Sequence, residues 1–285
     1  MSSFSLPSPV VSSHWLARHI EQPGIRLFDA SMAIPGDEPI TRMEVQIGNA
    51  IFFDINKVCN EQSKYPHMMP SAEQFTVQAQ QLGVNKDNVI IIYDDKGIFS
   101  SARVWWMFKA MGFEQVAVLD GGLPAWLKAG YEVERGVEEA SRPLGDFVAT
   151  HLEGYFCDYN RVLTGLSDPR INVLDARSQA RFCGDEPDPR PGVRAGHMPG
   201  ALNLHYAKLF ENEGPHAGLL KSKDELSYLF NQLSPHHRAL IFSCGSGVTA
   251  CILALAATIV GYTEISVYDG SWSEWGSLAE CPVVY

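Results

Sequence analysis

The stretch Leu240-Ile-Phe-Ser-Cys244-Gly245-Ser246-Gly247-Val248-Thr249-Ala250 decides how this chain is read. An apolar run ends at a cysteine, two glycines and two hydroxyl residues follow, and an Ala-rich apolar run extends from Cys251 to Val260. That order predicts a buried strand, a tight loop and a helix. A cysteine at such a junction sits where backbone N–H groups converge at the positive end of a helix, an arrangement that stabilises an anion. It favours the thiolate, the reactive form of a cysteine. The bland alternative is a small buried hydrophobe beside a glycine turn, and the loop by itself leaves both open.

The rest of the composition narrows the class. A chain of 285 residues fits two ordinary domains, and 46% hydrophobic with 19% charged residues supports a substantial core. No stretch reaches the apolar length of a membrane span. The start, Met1-Ser-Ser-Phe-Ser-Leu-Pro-Ser-Pro9, lacks a basic segment followed by an apolar one, so a cytoplasmic location is expected. A formal net charge of −11 argues against nucleic acid or an anionic membrane as partner, but not against a small anion held by a few arginines. Cys59, Cys157, Cys183, Cys244, Cys251 and Cys281 form no C-x-x-C pair and have no zinc-like histidine spacing. The expectation is metal-free thiol chemistry.

The chain also repeats. At an offset of 149, Val89-Ile-Ile-Ile-Tyr-Asp-Asp95 falls on Arg238-Ala-Leu-Ile-Phe-Ser-Cys244. At the same offset Val116-Ala-Val-Leu-Asp-Gly-Gly122 falls on Ile265-Ser-Val-Tyr-Asp-Gly-Ser271. At a nearly equal offset Ile25-Arg-Leu-Phe-Asp-Ala30 matches Ile171-Asn-Val-Leu-Asp-Ala176. Each half alternates short apolar strands with helical stretches, so the expected fold is α/β, in two tandem domains, each a mostly parallel sheet flanked by helices. The expected division is 1–135 and 151–285, with a charged, aperiodic linker over 136–150. Ligands of such sheets bind outside the carboxyl ends of the strands, where Cys244 falls. The ungapped repeat sets Asp95 opposite Cys244, in a loop without the Gly-Ser-Gly character, so the first half reads as an inactive copy.

Cys244-Gly-Ser-Gly-Val-Thr249, Asp269-Gly-Ser-Trp-Ser-Glu-Trp275, Asp120-Gly-Gly-Leu-Pro-Ala-Trp126 and the tandem layout resemble the two-domain sulfurtransferases of the rhodanese type. Within that family the loop is similar to the 3-mercaptopyruvate sulfurtransferases rather than to the thiosulfate enzymes. The resemblance runs from about Val11 to Trp275. It implies that Cys244 attacks the donor sulfur, keeps it as a persulfide and releases pyruvate, and that a thiol or cyanide, with thioredoxin a further possibility, takes the sulfur away. It implies that the backbone of Gly245, Ser246, Gly247, Val248 and Thr249 cradles the persulfide and that no metal or organic cofactor is required. Arg181 and Arg190, nine apart, match the family's two arginines for the donor carboxylate and keto oxygen, a geometry that suits planar guanidinium. Without the resemblance, those arginines read more simply as partners of Asp185, Glu186 and Asp188.

His67 matches a histidine that the family pairs with the loop serine, here Ser246, in a relay suited to proton management. The relay's acidic member, eleven positions earlier, is Asn56 in this chain, with Asp54 two residues away as a candidate substitute. His197 reads as a turn residue, Cys251 as buried and inert, and Trp105, Trp106, Trp126, Trp272 and Trp275 as packing residues. Three other readings stay open: a thiosulfate sulfurtransferase, a non-catalytic rhodanese module, and a C-x5-R phosphatase. The last lacks its arginine, since position 250 is alanine.

Overall fold

The sequence repeat is built as two five-stranded parallel sheets in a computed structural model that describes residues 5–33, 45–135, 142–234 and 238–285. The first sheet uses β1 (Val10–Val11), β2 (Ile25–Asp29), β4 (Ile51–Phe52), β5 (Val89–Tyr93) and β6 (Val116–Leu119) in the order β1-β6-β5-β2-β4. A short antiparallel pair, β3 (Val45–Gln46) with β7 (Glu134–Arg135), stands apart from it. The second sheet uses β8 (Phe156–Cys157), β9 (Ile171–Asp175), β10 (Leu202–Asn203), β11 (Ala239–Ser243) and β12 (Ile265–Tyr268). Its order, β8-β12-β11-β9-β10, is the same one, strand for strand.

The central strands carry unbroken apolar runs because helices cover both faces of a parallel sheet. All five residues of β5 are buried, and four of the five in β11. In the first half the helices are α1 (Ser13–His19), α2 (Ala72–Gln81), α3 (Ser101–Ala110) and α4 (Gly122–Lys128). The second half has α5 (Tyr159–Gly165), α6 (Gln179–Cys183), α7 (Lys223–Leu233), α8 (Ala250–Val260) and α9 (Ser271–Trp275). Reciprocal capping boxes start α2 at Ser71 with Gln74 and α7 at Ser222 with Glu225. Helix α8 is buried on every side from Ala250 to Ala257, as its composition predicts, and Gly261 at φ 99° ends it. No helix among the described residues is long and apolar enough to cross a membrane.

The compact units do not follow the linear division expected from the repeat. One unit is 1–61, 69–152 and 212–219; the other is 62–68, 153–211 and 220–285. The expected linker is, over its described part, stitched to the first unit. Gly145 N–H donates to Gln80 O at 2.8 Å, Phe147 N–H to Val84 O at 3.1 Å and Thr150 N–H to Met111 O at 3.1 Å. Backbone pairing of this kind carries no sequence period, so composition alone reads it as loose chain. Residues 136–141 of that linker lie outside the described residues.

The equivalence of Cys244 also needs correction. In β5 the last residue, Tyr93, pairs with Asp29; in β11 the last residue, Ser243, pairs with Asp175. Leu123 N–H donates to Asp94 O at 3.0 Å, and Trp272 N–H donates to Cys244 O at 2.9 Å. The residue at the cysteine position of the first half is therefore Asp94, not Asp95. The first loop, 94–100, is one residue longer than the second, 244–249. The extra residue shifts the register across the loop, which an ungapped match does not register.

Candidate active site

Cys244 follows β11, the middle strand of the second sheet, and is 2% exposed. Its backbone is tied on both sides. Its N–H donates to Ser271 Oγ at 3.2 Å, and its carbonyl accepts from Trp272 as given above. Gly245 O accepts from Ser273 N–H at 2.9 Å, so α9 braces the loop from the neighbouring strand's end. Gly247 has φ 72°, a left-handed turn that glycine adopts without strain. Val248 is buried, and Thr249 enters α8 with no side-chain cap bond, so the first turn of α8 is not closed by a hydroxyl.

The chemistry of this junction is visible in its duplicate. Asp94 is fully buried, and its carboxylate accepts four backbone N–H groups. Oδ1 takes Lys96 at 3.0 Å; Oδ2 takes Phe99 at 2.7 Å, Ser100 at 3.0 Å and Ser101 at 2.9 Å. The strand–loop–helix junction of this fold thus holds an anion on amides alone. In the second half the equivalent amides belong to Ser246, Val248, Thr249 and Ala250, around a cysteine instead of a carboxylate.

Arg181, on α6, and Arg190, seven residues past that helix, both reach the loop. A Cβ added at Gly245 would lie 3.3 Å from Nη1 and Nη2 of Arg190 and 3.4 Å from Nη2 of Arg181. Both arginines also bond Asp188, Arg181 Nη2 at 2.6 Å and Arg190 Nη1 at 3.1 Å. The pairing that would have made them ordinary surface arginines coexists with proximity to the loop. Of the three acidic residues beside them, Asp188 is the one that forms these bridges.

His67 belongs to segment 62–68 of the second unit, and its Nδ1 lies 3.2 Å from Ser246 Oγ. Either atom can be the donor, according to the imidazole tautomer. The histidine has φ 60°, an uncommon value for a non-glycine residue and typical of positions held by their surroundings. Asn56 belongs to the first unit, where its N–H donates to Asp54 Oδ1 at 3.0 Å and its carbonyl accepts from Cys59 Sγ at 3.1 Å. His197 is structural: it stacks on Phe182 at 3.8 Å and exchanges backbone bonds with Val284. Cys251 is buried with Sγ on Gly247 O at 3.2 Å.

Two residues that sequence reasoning did not single out hold this arrangement. One is Asp188, read there only as a competitor for the arginines. The other is Ser271, at φ 49°, with Oγ accepting from Cys244 and donating to Tyr268 O at 2.8 Å. The repeat contained the signal for Ser271, because its counterpart is Gly122 at φ 51°.

Two segments, 12–129 and 158–278, match the family described as a rhodanese-like domain. The chain is 39% identical over 278 residues to the 3-mercaptopyruvate sulfurtransferase of Escherichia coli K12, covering 96% of each. It is 37% identical over 277 residues to the thiosulfate sulfurtransferase of Cricetulus griseus, covering 93% of this chain and 91% of that one. Among solved structures, SseA from Escherichia coli, a 3-mercaptopyruvate sulfotransferase, superposes with a TM-score of 0.81 at 36% identity, over 93% of this chain and 99% of that one.

Proposed function

The chain belongs to the rhodanese-like family, and from that premise we propose that it is a sulfurtransferase drawing on 3-mercaptopyruvate. Cys244, as thiolate, attacks the donor sulfur. An S–S bond forms as the sulfur–C3 bond breaks, and the electron pair passes into the keto group as pyruvate enolate. The enolate takes a proton at C3 and leaves as pyruvate. The transferred sulfur loses its own proton and remains on Cys244 as a persulfide anion. A thiolate or cyanide then attacks this outer sulfur, and Cys244 departs as thiolate.

The observation that carries the reading is the Asp94 carboxylate on its four amides. A junction that holds a carboxylate in one half is suited to hold a persulfide anion in the other, by amides of the loop Gly245–Thr249 and of Ala250. Arg181 and Arg190 take the donor carboxylate and keto oxygen, where they also stabilise the enolate. Ser246 and His67 supply and accept the protons. Gly245 and Ser246 add no side-chain cation, which favours a carboxylate donor over the doubly charged thiosulfate. The second reading, a thiosulfate enzyme, has the 37% identity to the hamster thiosulfate sulfurtransferase in its favour. No disulfide joins the cysteines among the described residues; the reading places the protein in the cytoplasm, with a small thiol, cyanide or thioredoxin as acceptor.

The test is intact-protein mass after brief exposure to either donor. One added sulfur from 3-mercaptopyruvate, absent in Cys244→Ser, is the expected result. Stronger loading by thiosulfate would move the assignment to the second reading. No loading of folded, reduced protein by either donor would overturn both.

A further inference from the structure

The charge beside Gly245 is set by three groups. Asp188 Oδ2 accepts from Arg181 at 2.6 Å, and Oδ1 accepts from Arg190 Nη1 at 3.1 Å and from the Arg190 backbone N–H at 3.1 Å. The Asp188 side chain is 1% exposed, against 25% and 22% for the two arginines. One carboxylate is thus buried beneath two guanidiniums whose tips reach the loop. Arginine keeps its charge throughout the accessible pH range, so the three groups sum to a single positive charge. The buried Nε of Arg181 has no hydrogen-bond partner.

We infer that Asp188 is a specificity-determining residue: it fixes Arg181 and Arg190 as one unit beside Gly245 and trims their combined charge to match a singly charged donor. The inference rests on the donor-binding role given above to the two arginines. Without the carboxylate, two cations sharing one face of the loop would repel each other and offer their charge to a dianion. With it, a dianion entering the site leaves one charge uncompensated in a region poor in water, a cost a monocarboxylate does not meet. Selection then comes from disfavouring the wrong charge as well as from binding the right one. A purely structural Asp188 would affect every donor alike.

Asp188→Asn keeps the shape and removes the charge. Steady-state rates with 3-mercaptopyruvate and with thiosulfate, at fixed cyanide and at two ionic strengths, read the effect. The ratio of kcat/KM for thiosulfate to that for 3-mercaptopyruvate is expected to rise about tenfold, through KM rather than kcat. The thiosulfate KM is expected to become more salt-dependent, and Asp188→Glu to return the ratio toward wild type. Equal loss with both donors, with the ratio unchanged, would overturn the inference. If Asp188→Asn does not fold, protection of wild-type Cys244 from alkylation decides the matter. Pyruvate is expected to protect better than sulfate at equal concentration, and sulfate protecting as well or better would overturn the inference. A wild type that loads sulfur best from thiosulfate counts against the donor reading, whereas the ratio in Asp188→Asn reports on charge selection separately.

Discussion

Ser271 and Gly122 occupy equivalent positions just after the β12 and β6 strands, and both have positive φ, 49° and 51°. In the first half glycine is obligatory, because a Cβ at Gly122 would collide with the carbonyl oxygens of Asp94 and Gly97. In the second half a serine accepts a backbone strain of about 1–3 kcal/mol and uses its hydroxyl to grip the Cys244 amide at 3.2 Å. Strain retained beside the cysteine and absent beside Asp94 fits a positioning role toward the proposed nucleophile. Ser271→Gly relieves the strain but loses two hydrogen bonds, each of similar magnitude to the relief. The expected melting temperature therefore changes by less than about 4 °C, while kcat with 3-mercaptopyruvate falls about tenfold. Thermal melts alongside single-turnover sulfur loading separate the two effects. A large loss of stability with unchanged loading would make Ser271 merely structural.

At the scale of the loop and its helix, the duplicated junction provides its own control. Asp94 is buried on four amides. Asp95 instead has a side chain 16% exposed, with Oδ2 facing Lys96 at 3.6 Å and a buried Oδ1 that has no hydrogen-bond partner. Asp94→Asn removes the charge from an amide-lined site and is expected to destabilise the protein by about 2–3 kcal/mol, whereas Asp95→Asn removes charge from a carboxylate whose buried Oδ1 has no partner and is expected to be neutral or stabilising by up to about 1 kcal/mol. Urea titrations of both variants check the order, and a reversed order would restore Asp95 as the equivalent of Cys244. The sequence made the strand, the loop and the helix around Cys244 legible because apolar runs and glycines carry their own periodicity. It misplaced the equivalent residue because one inserted loop residue leaves no mark in an ungapped match. It also read Asp188 as a rival to the loop for Arg181 and Arg190, since the proximity of charges along the chain does not reveal that a buried carboxylate can face two arginines at once.

For the whole molecule, two tandem parallel sheets could be read from the repeat, but not their strand order, nor the assignment of 62–68 to the second unit and 212–219 to the first. Those segments lack apolar periodicity, so their membership follows from tertiary contacts alone. The pH response of stability is set by individual carboxylates of opposite sense. Burial, aided by the charges of Asp158 and Asp269, holds the half-buried Glu274 carboxyl above its ordinary range. A raised value means that the folded state binds the proton more tightly. The stabilisation is therefore complete below the ordinary glutamate range and is lost as pH rises through the raised value. Asp168 acts in the opposite sense: its hydrogen bonds and charge pairing with Arg170 hold it down to about 2, so its contribution exists at neutral pH and disappears as pH falls toward that value. Glu274→Gln is accordingly expected to raise the melting temperature by about 2–4 °C at pH 7.5 and to lose that gain as pH falls below the ordinary glutamate range. Glu153→Gln, at an exposed position, removes the same charge from a chain of net charge −11 and controls for general repulsion. Equal gains for the two variants at pH 7.5 would assign the effect to net charge rather than to burial of Glu274.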